Sequence, residues 1–233
     1  MGVFYGFDEY YLILVLPAFL FALYAQFKVK GTFNKYRGLT NRRGLTGAEV
    51  ARGILERNGL RDVSVQSVPG ELTDHYDPRT KVVRLSQAVY GSTSVAALGV
   101  AAHETGHALQ HQSGYAPLVL RSTLVPAANI GSSAGPYLAI LGILFQINPL
   151  IYIGIILYAA AVLFYLVTLP VEFNASSRAI ASLEEMGVLT WDETEPAKKV
   201  LNAAAMTYVA SAAVAVASLL RLILLSRSRR RSD

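Results

Sequence analysis

The chain has 233 residues, with 21 Lys and Arg against 16 Asp and Glu, a formal net charge of +5, and no cysteine. Hydrophobic residues make up 53% and charged residues only 16%, below the roughly one quarter usual for soluble domains, which excludes a disordered chain and argues against an ordinary soluble one. The missing cysteines exclude disulfide frameworks, thiolate zinc sites and cysteine nucleophiles.

Residues 10–27 carry no charge, and 18 residues are just long enough to span a bilayer at about 1.5 Å per residue. The flank before them holds Asp8 and Glu9 and no Lys or Arg, so a retained span is expected rather than a cleaved leader. The next apolar tract, residues 116–169, has one charge, Arg121. It is too long for one span, and Gln146-Ile147-Asn148-Pro149 supplies turn formers, so two helices are expected at about 122–145 and 150–169. Ala127, Gly131 and Gly135 recur every four residues, a spacing that lets a neighbouring helix backbone approach. A fourth, alanine-rich tract begins at Ala203 and is read as a span over about 203–225.

The basic residues form no run interleaved with aromatics, so no nucleic-acid partner is expected. The Arg227-Ser228-Arg229-Arg230-Arg231 cluster beside an apolar helix reads as a contact with anionic lipid headgroups. Lys28, Lys30, Lys35, Arg37, Arg42 and Arg43 follow the first span, which assigns that side to the cytoplasm and the N-terminus to the outside. A fully crossing fourth span would then put the Arg-rich tail outside, against the same rule, so the fourth crossing stays open at this point.

Two polar segments remain, about 28–115 and 170–202. Thr46-Gly47-Ala48-Glu49 has the form of a capping box opening a helix that Gly59 can stop. Residues 62–68 alternate polar and apolar as a half-buried strand does, residues 76–80 read as a turn, and residues 81–85 as a second strand. A helix from about Ser92 or Ser94 to Gln112 follows, with Gly114 as its stop. The strand at 81–85 is a candidate for pairing with an extended substrate at a sheet edge.

That helix contains His103-Glu104-Thr105-Gly106-His107. Histidines four apart lie on one helix face, so both imidazoles can address one metal, and the glutamate between them sits where it can polarise a water on that metal. A catalytic zinc takes three protein ligands and leaves a position for water. His111 continues the series, but eight residues of helix rise about 12 Å, too far for it to share an ion with His103. The longer three-histidine pattern needs a glycine where this chain has Gln110. His75, in the strand–turn region, reads first as a structural residue, with a substrate or transition-state contact as the weaker alternative.

The best third ligand is Glu172, in Leu169-Pro170-Val171-Glu172-Phe173-Asn174-Ala175-Ser176-Ser177-Arg178. Pro170 is taken to open a helix, placing Glu172 in its first turn. The two-helix hairpin returns the chain to the side it left, so the His-Glu-His helix and Glu172 emerge at the same bilayer surface. A carboxylate so near a span is costly unless used or paired.

With the His-Glu-Thr-Gly-His helix, the Leu-Pro-Val-Glu-Phe segment, the Asp74-His75-Tyr76-Asp77-Pro78-Arg79 segment and an N-terminal span, the chain resembles the YugP-like neutral zinc metallopeptidases of bacterial membranes, themselves distantly similar to HtpX and the CAAX prenyl proteases. The resemblance implies one zinc per chain on His103, His107 and Glu172, with Glu104 as general base. The better-known relatives carry an aspartate four residues after the glutamate ligand. Here that position is Ser176, with Asn174 and Ser177 as alternatives for orienting the ligands and Arg178 close by.

The expectation is therefore a mainly α membrane protein, a single metallopeptidase domain over 1–233 with about four transmembrane helices and a small α+β zincin-like portion. It would be a multi-pass protein of the cell membrane that hydrolyses peptide bonds, its partners a protein or peptide substrate and the lipid bilayer, with the catalytic side cytoplasmic. A scaffold with a structural metal is the alternative, which Glu104 argues against because a structural site has no use for a base. A metal transporter ranks lower because the ligands lie outside the apolar spans.

Overall fold

A computed structural model describes residues 8–230. In chain order, a π-helical turn, Tyr11–Val15, leads into α1 (Leu16–Tyr36), then come α2 (Gly47–Arg57), β1 (Ser64–Val68), β2 (His75–Asp77), β3 (Val82–Ser86), α3 (Gln87–Tyr90), α4 (Val95–Gln112), α5 (Ala116–Phe145), α6 (Asn148–Glu185) and α7 (Trp191–Arg230). The chain divides into two compact units. One gathers residues 1–26, 120–169 and 207–233, the other residues 27–119 and 170–206. The division follows the alternation of apolar and polar tracts along the sequence.

The first unit is helical, and four helices, Tyr11–Tyr36, Ala116–Phe145, Asn148–Glu185 and Trp191–Ser228, are long and apolar enough to cross a membrane. The α5–α6 hairpin turns on Gln146, which takes a left-handed backbone with φ of 61°. Small residues line its seam: a Cβ on Gly135 would lie 2.8 Å from the Tyr158 amide nitrogen, and one on Gly131 would collide with the Leu157 carbonyl. Gly142 and Gly154 meet the facing backbone in the same way, while Ala127 is exposed and the stripe runs instead from Gly131 through Ala139. Without a hydrophobic driving force between helices in lipid, such close backbone packing is what holds a hairpin together.

The same unit holds a buried ion pair. Asp8 accepts from Arg221 Nε at 2.8 Å and from its Nη2 at 2.5 Å, and Arg221 also stacks on the Tyr11 ring. Asp8 caps the start of the first helix through the Tyr11 amide. The side chains of the basic cluster from residue 229 onward lie outside the described residues.

The second unit is built around α4. Its core takes Ile54 and Leu55 from α2, Val83 and Leu85 from β3, Leu98 from α4 and Leu183 from α6, all essentially buried. Each such side chain contributes about 1.5–3 kcal/mol relative to exposure. The capping box is present: Thr46 Oγ1 accepts from the Glu49 amide, and the Glu49 carboxylate accepts from the Thr46 amide. The α4 helix opens on a Ser94 cap and stops at Gly114, whose φ is +60°.

The sheet corrects two expectations. Its order is β1-β3-β2, with β1 parallel and β2 antiparallel to β3. The strand near 81–85 is therefore central, hydrogen-bonded on both sides and buried at Val82, Val83 and Leu85, and it has no free edge to offer a substrate. His75, Tyr76 and Asp77, the latter two read as part of a turn, form the edge strand β2. Three residues beside Pro78 are too few for a period-2 signal.

A third correction concerns Pro170, which does not open a helix. The α6 helix runs unbroken from Asn148 to Glu185 with Pro170 inside it. A proline deletes one ladder hydrogen bond, and packed helices with an apolar stretch tolerate this because neighbours re-satisfy the freed groups. Glu172 is consequently a mid-helix residue, 2% exposed, and not a solvated acid in a first turn.

Candidate metal centre

Two helices of the second unit carry the site. On α4, His103 and His107 stand one turn apart with ring centroids 4.8 Å apart and planes at 86°. From α6, Glu172 faces both: its Oε2 lies 3.3 Å from His103 Nε2 and 3.6 Å from His107 Nε2. One ligand atom from each of the three lies within 4.8 Å of the others, so the group could hold a metal ion. Three ligands of a tetrahedral zinc with bonds of about 2.1 Å sit about 3.4 Å apart, and these separations agree with that spacing.

The approach of α6 to α4 depends on Gly106, between the two histidines. A Cβ there would lie 2.6 Å from the Ala175 carbonyl oxygen and 3.2 Å from its Cα. Glycine in a helix interior costs about 0.5–1 kcal/mol relative to alanine, and here it brings the two backbones into contact one residue from His107 and three from Glu172.

Both imidazoles are held from behind. His103 Nδ1 lies 3.1 Å from Ser176 Oγ, and His107 Nδ1 lies 3.0 Å from Gln110 Oε1. Partners on the far ring nitrogen orient both rings with Nε2 toward Glu172, as the outer partners of metal-binding histidines do. Gln110 in turn donates to the Val171 carbonyl at 2.8 Å and to Asn174 Oδ1 at 3.0 Å, and Arg178 Nε donates to the same Asn174 oxygen at 2.8 Å.

Glu104 is buried, 8% exposed, and burial pushes its carboxyl above the usual range; the two imidazoles oppose that rise, while Glu172 and Asp74 reinforce it. Asp74 accepts from the Ser86 amide at 2.7 Å and from Ser86 Oγ at 3.0 Å, fastening the start of β2 to the end of β3. Burial raises its carboxyl too.

The remaining candidates fall elsewhere. His75 is exposed, with Nδ1 2.8 Å from the Thr73 carbonyl and no hydrogen bond to the ligands. His111 is exposed and bonded through Nδ1 to the Tyr76 hydroxyl at 2.9 Å. Ser176 stands behind His103, whereas Asn174 and Arg178 reach the histidines only through Gln110. In the sequence Gln110 stands out only as the position where a longer zinc motif fails; its place three residues after His107, on the same helix face, is the signal for its role.

Fold and site together define a membrane protein with a metallopeptidase-type helix. The chain belongs to the family described as "Putative neutral zinc metallopeptidase", whose model matches residues 11–227. It is 50% identical over 215 residues to the "Putative membrane protease YugP" of Bacillus subtilis (strain 168), covering 92% of this chain and 96% of that relative. No solved structure matches it. Family membership supports a protease role and implies zinc.

Proposed function

We propose that the chain is a membrane-embedded zinc endopeptidase, with His103, His107 and Glu172 holding the ion and Glu104 acting as general base. The observation that carries this reading is the convergence of three ligand atoms beside a buried carboxylate that is not one of them. When bound, zinc supplies Lewis-acid activation of water. The Glu104 carboxylate takes a proton from the attacking water and delivers it to the departing amine nitrogen. A solely structural metal would have no need of such a group.

An extended substrate would add to the outer edge of β2, which pairs within the sheet with β3 alone. The substrate is a protein or peptide. The protein sits in the cell membrane with its catalytic segments on the cytoplasmic side, where the basic residues after the first span point.

Glu104→Gln tests the role of the base. The variant should bind as much zinc as the parent and lose cleavage of an unfolded protein substrate by at least about 100-fold. Retained cleavage would refute the assignment.

A further inference from the structure

Gln110 is fully buried, and every polar atom of its amide is committed. The proton positions around it follow from groups that can act in only one way. Arg178 only donates, so the Asn174 atom 2.8 Å from its Nε is the oxygen. The Val171 carbonyl only accepts. The Gln110 nitrogen therefore faces both of these, and its oxygen faces His107. That oxygen only accepts, so His107 Nδ1 carries the hydrogen. A neutral ring then has its lone pair on Nε2, the atom that faces Glu172.

The same amide reaches across to Val171 and Asn174, which flank Glu172 on α6. One side chain thus sets the tautomer and ring angle of one ligand and the register of the helix turn that carries another. Ser176 differs, because a hydroxyl behind His103 can donate or accept and leaves that ring's tautomer unspecified.

We propose that Gln110, backed by the Arg178–Asn174 pair, is the positioning residue of the metal centre, locking His107 as an Nε2 ligand and holding Glu172 opposite it. The inference rests on the metal reading above, and it makes Gln110 more consequential than Ser176.

The test is zinc affinity of the purified full-length chain by competition with a chromophoric chelator, with metal-free thermal melting and the visible spectrum of the cobalt-substituted protein measured beside it. Gln110→Met keeps the volume and removes both amide functions. It should weaken zinc binding on the order of 10–100-fold and alter the cobalt spectrum in protein that still melts cooperatively. Ser176→Ala should weaken binding less. Asn174→Asp, which still accepts from both Arg178 and Gln110, should keep near-parental affinity, whereas Asn174→Leu should not.

Parental affinity and spectrum in folded Gln110→Met would overturn the proposal. So would a loss that only tracks the unfolded fraction, as a structural role requires. If Gln110→Met does not fold, Asn174→Leu decides at a less buried position, and unchanged affinity there overturns the proposal. A folded parent that binds no zinc would instead remove the metal reading itself, so the two failures are distinguishable.

Discussion

Gly106 and Ala175 meet backbone to backbone, a Cβ on the glycine falling 2.6 Å from the alanine carbonyl oxygen. The contact lies between the two imidazoles on one helix and beside the carboxylate on the other, so it sets how closely the ligands can converge. Gly106→Ala should cost about 1–3 kcal/mol by overpacking, of which helix propensity returns about 0.5–1 kcal/mol, leaving a net loss. Zinc content should fall as well, because Glu172 moves with Ala175. Thermal melting and metal analysis check both; a variant that melts higher and keeps its zinc would show that the helices have room to spare.

His111 continues the four-residue histidine series but bonds to Tyr76 on the exposed side of α4. His111→Ala should retain the parental zinc content, losing only the tie to the edge strand. Metal analysis gives the answer directly, and depletion comparable to that of a His103 variant would contradict the placement.

Asp77 accepts from the Thr80 hydroxyl, from Arg84 and from the Arg79 amide, and these partners hold its carboxyl well below the usual range. A folded-state value depressed below the unfolded value of about 3.9 stabilises the fold above that pH, and the contribution is lost as pH falls through the folded value. Asp77→Asn should therefore melt below the parent at neutral pH, with the gap closing as the pH drops below about 4. Melting temperatures across that range would show a constant gap if the ionised carboxylate contributed nothing.

Asp8 and Arg221 pair at the start of the first apolar helix and near the end of the fourth. Two residues in contact lie at one membrane face, so both termini should be on the same side. The expected arrangement is a fourth helix that traverses, with its C-terminal end on the N-terminal side. Reporter fusions at each end should give matching accessibility. Opposite accessibility would mean that the fourth helix does not cross as the pair requires.

Local signals carried much of this architecture. The capping box, the Ser94 cap and the Gly114 stop are short-range devices, so the boundaries of α2 and α4 are legible from sequence. The i, i+4 spacing of His103 and His107 is intrinsic to a helix, and Glu172 could be reached because a hairpin of two apolar helices returns the chain to its starting side. What was illegible depends on packing. Pro170 reads locally as a helix start, yet α6 passes through it. His75, Tyr76 and Asp77 are strand only because β3 lies beside them. Gln110 looks like a failed motif position until α6 supplies Val171 and Asn174 as its partners.

The most direct test of the whole account is zinc bound per chain in the purified parent and in Glu172→Ala. About one zinc is expected in the parent and sharply less in the variant, with both folded. Equal zinc in the two would contradict it, because the ion would then be held without the carboxylate on which the geometry of α4 and α6 converges.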